Sequence, residues 1–255
     1  MSSVAKPSYQ SRSAVSDRAA AKISFTDRLA LLLAKTTCRR ADSAEERDAV
    51  FRLRHEAYVR DAAIDPNRSG TFTDPYDEKS NVHIFGLHVD GELAGAIRLH
   101  IASAQHPEFP TGEVFPEHLL PEIGAGRVIV DVTRFVADWN LARVHRGLPY
   151  ITLRLAWLAA EYFGGDHILA AVRVEHQAFY RRAFNFHLAC GARPYPLLIK
   201  PVALMMLNFP TARDDMYRRY PFFHSTASER RKLFEHSPAR ELIREPIGVT
   251  AEQRL

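Results

Sequence analysis

From about residue 25 onward, apolar positions recur at alternating helical and strand spacings, whereas residues 1–24 show no such period and read as a flexible tail. Phe25 to Lys35 carries Leu29, Leu32 and Leu33 at helical spacing, which predicts a short amphipathic helix packed on the body or on a partner. A short strand, Thr36 to Arg40, follows. Ser43 and Glu46 have the spacing of a capping box, in which hydroxyl and carboxylate satisfy each other's backbone N–H groups, so a helix starts here and runs to about Tyr58. Its apolar stripe is Val50, Leu53, Ala57 and Tyr58, and Arg54 borders that stripe.

Residues 61–80 contain Pro66, Gly70 and Pro75 and read as a long loop carrying Asp74 and Asp77. Val82 to Val89 and Glu92 to Ile101, joined by Asp90-Gly91, predict a β-hairpin with Ile97, Leu99 and Ile101 on one face and Arg98 and His100 on the other. The proline-rich residues 102–126 read as an insertion with one helical turn near Glu117 to Leu120. Next come a strand from Arg127 to Val136, a loop from Asn140 to Gly147, and a helix from Pro149 to Phe163 stopped by Gly164-Gly165. His167 to Val172 reads as a buried strand and Glu175 to Phe184 as a helix. Leu197 to Leu207 reads as a last strand in which Pro201 requires an edge or a bulge. Past Asn208 the chain is polar, with a short helix at Ser228 to His236. The order predicts one α/β domain over 25–208, a tail at 1–24 and a C-terminal appendage at 209–255.

Composition narrows the classes. A chain of 255 residues, 46% hydrophobic and 25% charged, is ordinary globular material. The apolar run Leu29 to Ala34 is far short of the roughly 18 residues a membrane span needs, and no apolar segment follows the N-terminus, so a cytoplasmic location is expected. Cys38 and Cys190 supply neither a disulfide framework nor a CxxC pair, and no metal site is expected. Of the net charge of +4, residues 1–25 carry +3, from Lys6, Arg12, Arg18 and Lys22 against Asp17. The nearly neutral body argues against a nucleic-acid partner, while peripheral contact of the tail with a membrane or an acidic protein stays open. Arg outnumbers Lys 28 to 6, which suits bidentate anion binding and follows equally from genome composition.

No GxGxxG, Walker loop, HExxH or GxSxG is present, so nucleotide hydrolysis, zinc proteolysis and serine hydrolase chemistry lack support. Two segments carry more. Arg143, Arg146 and Gly147 precede the Pro149 helix, and backbone N–H groups there would form an anion site for a phosphate such as that of phosphopantetheine; an ordinary helix start with two solvated arginines is the plain alternative. Asp131 and Arg134 lie three apart on a strand, which sends them to opposite faces unless a β-bulge intervenes.

Phe51-Arg-Leu-Arg54-His-Glu-Ala-Tyr58, Asp74-Pro-Tyr-Asp77, Gly95-Ala-Ile-Arg98-Leu and Asp131-Val-Thr-Arg134-Phe together resemble the acyl-homoserine lactone (autoinducer) synthases. His176-Gln-Ala-Phe-Tyr180-Arg-Arg-Ala-Phe184, Tyr195-Pro-Leu-Leu and Pro201-Val-Ala-Leu-Met-Met resemble the bacterial N-acyl amino acid synthases more closely. Ile64 stands where the autoinducer synthases have an aromatic residue, which argues against S-adenosylmethionine as acceptor, and Asp131 replaces their strand Glu. Val144 and Pro149 fall at two positions of the usual GNAT pyrophosphate loop, a departure that suits a carrier-protein thioester better than acetyl-CoA.

The resemblance, covering about Arg39 to Asn208, implies the GNAT-type acyltransferase fold: three α-β-α layers around a mixed, largely antiparallel twisted sheet. It implies transfer of a long acyl group from acyl carrier protein or acyl-CoA to the α-amine of an amino acid, with no permanently bound cofactor. Asp131 would orient or deprotonate the amine, with Asp77 second, and each reads equally as a structural acid paired with arginine. Arg54, Arg98 and Arg134 would pair with Asp131 and Asp77 or grip the acceptor carboxylate, the plain alternative being a salt-bridge network that braces the loop, and Asp74 would contact substrate. Tyr58 reads as packing first, Tyr180 as the donor to the leaving thiolate or as core, and His176 as a substrate contact or a helix cap. Trp157, Phe135, Leu155 and Met205 read as core or as an acyl tunnel. The alternatives are an autoinducer synthase, a plain acetyl-CoA N-acetyltransferase and a non-catalytic acyl-carrier or lipid-binding module.

Overall fold

The computed structural model describes residues 23–235, so all but the end of the 1–24 tail and residues 236–255 of the appendage lie outside the described residues. The chain begins with α1 (Phe25–Ala34), capped by Ser24 and Asp27, then β1 (Thr36–Arg40) and α2 (Ala44–Arg60), whose Ser43 and Glu46 form the expected capping box. The loop beyond α2 holds one 3-10 turn at Pro75–Glu78. β2 (Val82–Val89) and β3 (Glu92–Ala102) follow, and their turn residues Asp90 and Gly91 have φ of 50° and 93°, the paired left-handed geometry of a tight hairpin. The insertion forms two helices, α3 (Pro110–Val114) and α4 (Pro116–Gly124), where a single turn was expected.

β4 (Ile129–Ala137) leads into α5 (Trp139–Val144), which replaces the loop expected there because Asp138 accepts the Leu141 N–H at 2.8 Å and caps it. α6 (Leu148–Phe163) ends at Gly164, whose φ of 66° terminates it. β5 (His167–Val172) and α7 (Gln177–Phe184) precede β6 (His187–Arg193), a strand the apolar pattern did not announce. β7 (Val202–Asn208) begins immediately after Pro201 and lies between β5 and β6, so the proline needs neither an edge nor a bulge. α8 (Phe209–Arg219) and α9 (Ala227–Phe234) complete the described chain. Far from being a polar appendage, residues 209–235 bury Phe209, Met216, Phe223 and Phe234 in the largest apolar cluster.

The seven strands run in the order β1-β2-β3-β4-β5-β7-β6, antiparallel throughout except for β4 beside β5. One face, carrying Phe85, Ile97, Leu99 and Val132, is covered by α1, α6, α7, α8 and α9. The opposite face has two smaller clusters, one under α2 with Ile84 and Ala96, the other under α3 and α4 with Ile129 and Leu204. This is a three-layer α-β-α fold around a mixed, largely antiparallel sheet. Among the described residues, no helix is long and apolar enough to cross a membrane.

β4 positions the site. Opposite the two-residue step from Ala96 to Arg98, β4 takes three residues from Thr133 to Val136, and Arg134 adopts a φ of 51°. This extra residue is a β-bulge. The parallel pairing with β5 ends at Val132 and Ala170, although β4 continues to Ala137. Beyond that point the strands separate.

Candidate active site

The bulge turns Arg134 to the face that Arg98 and Asp131 already share, between the α2 cluster and the α3–α4 cluster. There the long loop inserts its two acids. Asp74 Oδ1 accepts from Arg98 Nη1 at 2.6 Å, and its Oδ2 accepts from Arg134 Nε at 3.0 Å and from Nη2. Asp77 Oδ1 accepts from Arg54 Nη1 at 2.8 Å and lies 3.0 Å from Arg98 Nη1, while its Oδ2 accepts the Asp74 N–H. Arg98 also donates from Nε to the Thr133 hydroxyl at 3.0 Å. The two carboxylates therefore clamp three arginines from α2, β3 and β4, and these ion pairs tie the loop to the sheet beside the buried contacts of Ile64 and Phe72.

Burial sets the electrostatics. Arg54 and Arg98 are wholly inaccessible. Burial opposes the charge on Asp74 and Asp77, but the adjacent guanidinium groups overcome it and hold both carboxyls below the ordinary range. Desolvation lowers Arg54 to about 10 against the pull of Asp77. Asp131 behaves oppositely: burial raises it to about 6, despite its bonds from the Thr111 hydroxyl (2.7 Å to Oδ1) and N–H (3.2 Å to Oδ2). Asp131 thus caps the first turn of α3 from β4, and Arg98 pulls its pKa downward only weakly.

A cavity of about 660 Å³ opens beside this cluster, with Asp74 and Arg134 among its charged lining residues and Phe109, Leu120, Tyr195 and Leu197 among the others. Arg134 stands over the Phe72 ring at 4.6 Å from its centroid, and Tyr58 and Tyr195 lie about it at 5.8 and 6.0 Å. The lining combines charged groups with apolar side chains, a composition that orients a small polar group while holding hydrocarbon.

A sequence profile of the family described as "N-acyl amino acid synthase FeeM" matches residues 49–208. The chain belongs to the FeeM family. It is an N-acyltransferase. The solved structure of FeeM, an N-acyl amino acid synthase from uncultured soil microbes, is 20% identical, covers 70% of this chain and 93% of its own, and superposes with a TM-score of 0.59. BjaI, a CoA-dependent acyl-homoserine lactone synthase, is 15% identical over 73% of this chain and 89% of its own, with a TM-score of 0.53. MesI, another CoA-dependent synthase of that kind, is 19% identical over 75% and 97%, with a TM-score of 0.50. At these identities the likeness is one of fold. No curated protein sequence matches.

Within this FeeM-family chain, Arg54, Tyr58, Asp74, Asp77, Arg98 and Arg134 gather in one cluster, with Asp131 under the adjoining α3. Tyr180 is buried behind it, packed edge-on to Phe179 and Phe186, with its hydroxyl pushed above the usual tyrosine range by burial. His176 stays outside: it occupies the position before α7 without capping it, and its Nε2 meets Arg173 Nη2 at 2.8 Å on the surface.

Arg143, Arg146 and Gly147 stand apart as well, at a start of α6 where three backbone N–H groups already have partners. The Leu148 N–H bonds to His145, those of Tyr150 and Ile151 bond to Gly147, and Pro149 has none to offer. Gly147 serves packing: a Cβ there would lie 2.5 Å from Leu29 Cδ2, so the glycine lets α1 seat on the start of α6. Arg143 and Arg146 border a separate surface hollow of about 560 Å³.

Trp157, Leu155 and Met205 lie in the main core rather than on the cavity. Glu117, His118 and Cys190 bring donor atoms within 4.8 Å of one another, but Glu117 is paired with Arg193. Three site residues escaped sequence reasoning. Thr111 and Phe72 lie in segments read only as insertion and loop, and Tyr195 belongs to a quoted motif that gave it no role.

Proposed function

We propose that the enzyme transfers a long-chain fatty acyl group from an acyl-carrier-protein thioester to the α-amine of an amino acid. The observation that carries this reading is the cavity itself, which brings Arg134 together with apolar side chains such as Phe109, Leu120 and Leu197. The amine nitrogen attacks the thioester carbonyl, a C–N bond forms as the C–S bond breaks, the amine proton leaves, and the carrier thiolate is protonated. Asp131, raised to about 6 and bonded to Thr111 under α3 beside the cavity, is the group suited to take that proton through water. Tyr180 lies in the main core and does not line the cavity, so the thiolate takes its proton from water rather than from this hydroxyl. Arg134 grips the acceptor carboxylate, and Arg54, Arg98, Asp74 and Asp77 hold it in place.

The start of α6 favours a carrier protein over coenzyme A. The N–H groups of Leu148, Tyr150 and Ile151 are committed and α1 covers Gly147, which disfavours a nucleotide pyrophosphate there, whereas Arg143 and Arg146 beside exposed Trp139 offer a basic rim to an acidic carrier. The test is mass spectrometry of N-acyl amino acids formed by purified enzyme from acyl-carrier protein or acyl-CoA, with wild type and Asp131→Asn. Product from the carrier thioester in wild type alone is expected. Equal use of acyl-CoA overturns the donor assignment, and equal product from both proteins removes Asp131 from its role.

A further inference from the structure

Tyr195 is the buried polar group on the cavity that the scheme above leaves unused. Its side chain is only 6% exposed and lines the same cavity as Arg134, yet its hydroxyl has no hydrogen-bond partner. The Thr111 hydroxyl is a neighbour that does not meet hydrogen-bond geometry with it, and its own proton goes to Asp131. A buried hydroxyl without a partner is unusual in a native structure and calls for a group that arrives from outside.

The charge beside it says what kind of group. Three buried arginines share two paired acids, Asp74 and Asp77, while the carboxylate of Asp131 is turned to Thr111 and makes no salt bridge with any of them. Arg98 Nη2 is also buried without a partner, and Arg134 commits Nε and Nη2 to Asp74 while Nη1 makes no hydrogen bond. The other charged groups of the cavity are occupied: Lys79 pairs with Glu108, and Glu113 accepts from the Tyr76 hydroxyl. Three arginines sharing two acids, a planar guanidinium and one orphaned hydroxyl beside it match a carboxylate.

Resting on the amino-acid-acceptor reading, we propose that Tyr195 is a substrate-binding residue whose hydroxyl, together with Arg134, receives the carboxylate of the acceptor and so selects amino acids over simple amines. Tyr195→Phe keeps the ring that packs on the cavity and removes only the donor. Each N-acylation rate is measured with an amino acid and with its carboxamide. In wild type the carboxylate is expected to be preferred by about 100-fold or more in kcat/KM, and in Tyr195→Phe that preference falls about tenfold, the loss expected for one hydrogen bond to a charged group. KM for the acyl donor stays unchanged. An identical preference in both proteins overturns the proposal, because a merely structural role would slow both acceptors alike.

Calorimetric binding of N-dodecanoylglycine and N-dodecanoylglycinamide separates this from the function itself, since it needs no turnover and assumes no acceptor side chain. Tighter binding of the carboxylate by wild type, with a gap that narrows in Tyr195→Phe, supports the subsite even if no transfer is found, an outcome that would refute only the acyl-transfer reading. Equal affinity of wild type for the two ligands overturns the subsite.

Discussion

Replacing Asp131 by Asn removes a titration that the fold holds out of its ordinary range. In the native protein the carboxyl is raised from 3.8 to about 6 by complete burial, so the folded state binds this proton more tightly than the unfolded chain does. The resulting stabilisation is fully present below the unfolded value and is lost as the pH rises through about 6. The displacement corresponds to about 3 kcal/mol at about 1.4 kcal/mol per pH unit. Asn cannot titrate, and its Nδ2 facing the Thr111 N–H adds an offset of about 1–2 kcal/mol that does not depend on pH. Wild-type stability minus variant stability should therefore fall by about 3 kcal/mol between about pH 3.5 and 7.

Urea unfolding followed by the fluorescence of buried Trp157 measures this difference at each pH. Asp74 and Asp77 titrate in the opposite sense, losing stability as the pH falls below the ordinary carboxylate range, but they are common to both proteins and cancel in the subtraction. A difference that stays flat across this range, or one that rises, would falsify the claim that Asp131 is destabilised as an anion. Under the proposed role of Asp131 as proton acceptor, kcat/KM should rise through about pH 6 as the group ionises.

Two further perturbations probe the frame around the site. Asp74→Ala strands Arg98 and Arg134 in a buried setting and should cost about 3–5 kcal/mol, read as a lower urea midpoint with an unchanged slope; a loss below about 1 kcal/mol would mean that the acids do not brace the loop. Gly147→Ala drives a methyl group into Leu29 and should cost about 1–3 kcal/mol, with faster hydrogen exchange in residues 23–35 and unchanged protection in the central strands. Unaltered exchange in α1 would show that its seat on α6 does not depend on the glycine.

Where structure is written locally, the sequence alone was sufficient. The capping box at Ser43, the Asp90-Gly91 turn, the stop at Gly164 and the alternation along β3 each depend on residues within one turn or one pleat, and each element stands where those residues put it. α5 also had a local signal, the Asp138 cap, hidden by the polar run behind it. β6 had none: it is an edge strand with little buried surface, held by its ladder to β7, and a strand secured by its neighbour leaves no apolar alternation to read.

The chemistry of the site was legible as a set of residue types and illegible as an arrangement. Arg54, Asp77, Arg98 and Arg134 come from separate elements, and which acid meets which arginine is decided only when the loop folds onto the sheet. The bulge at Arg134 is a register event between two strands, so a single strand's sequence states the need for it but not its presence. Gly147 shows the same division: its lack of a side chain was visible in the sequence, but only tertiary packing assigned that space to Leu29. Local periodicity fixed the elements because its energetics are short-ranged; burial and charge pairing, which join residues distant in the chain, decided what the elements hold between them.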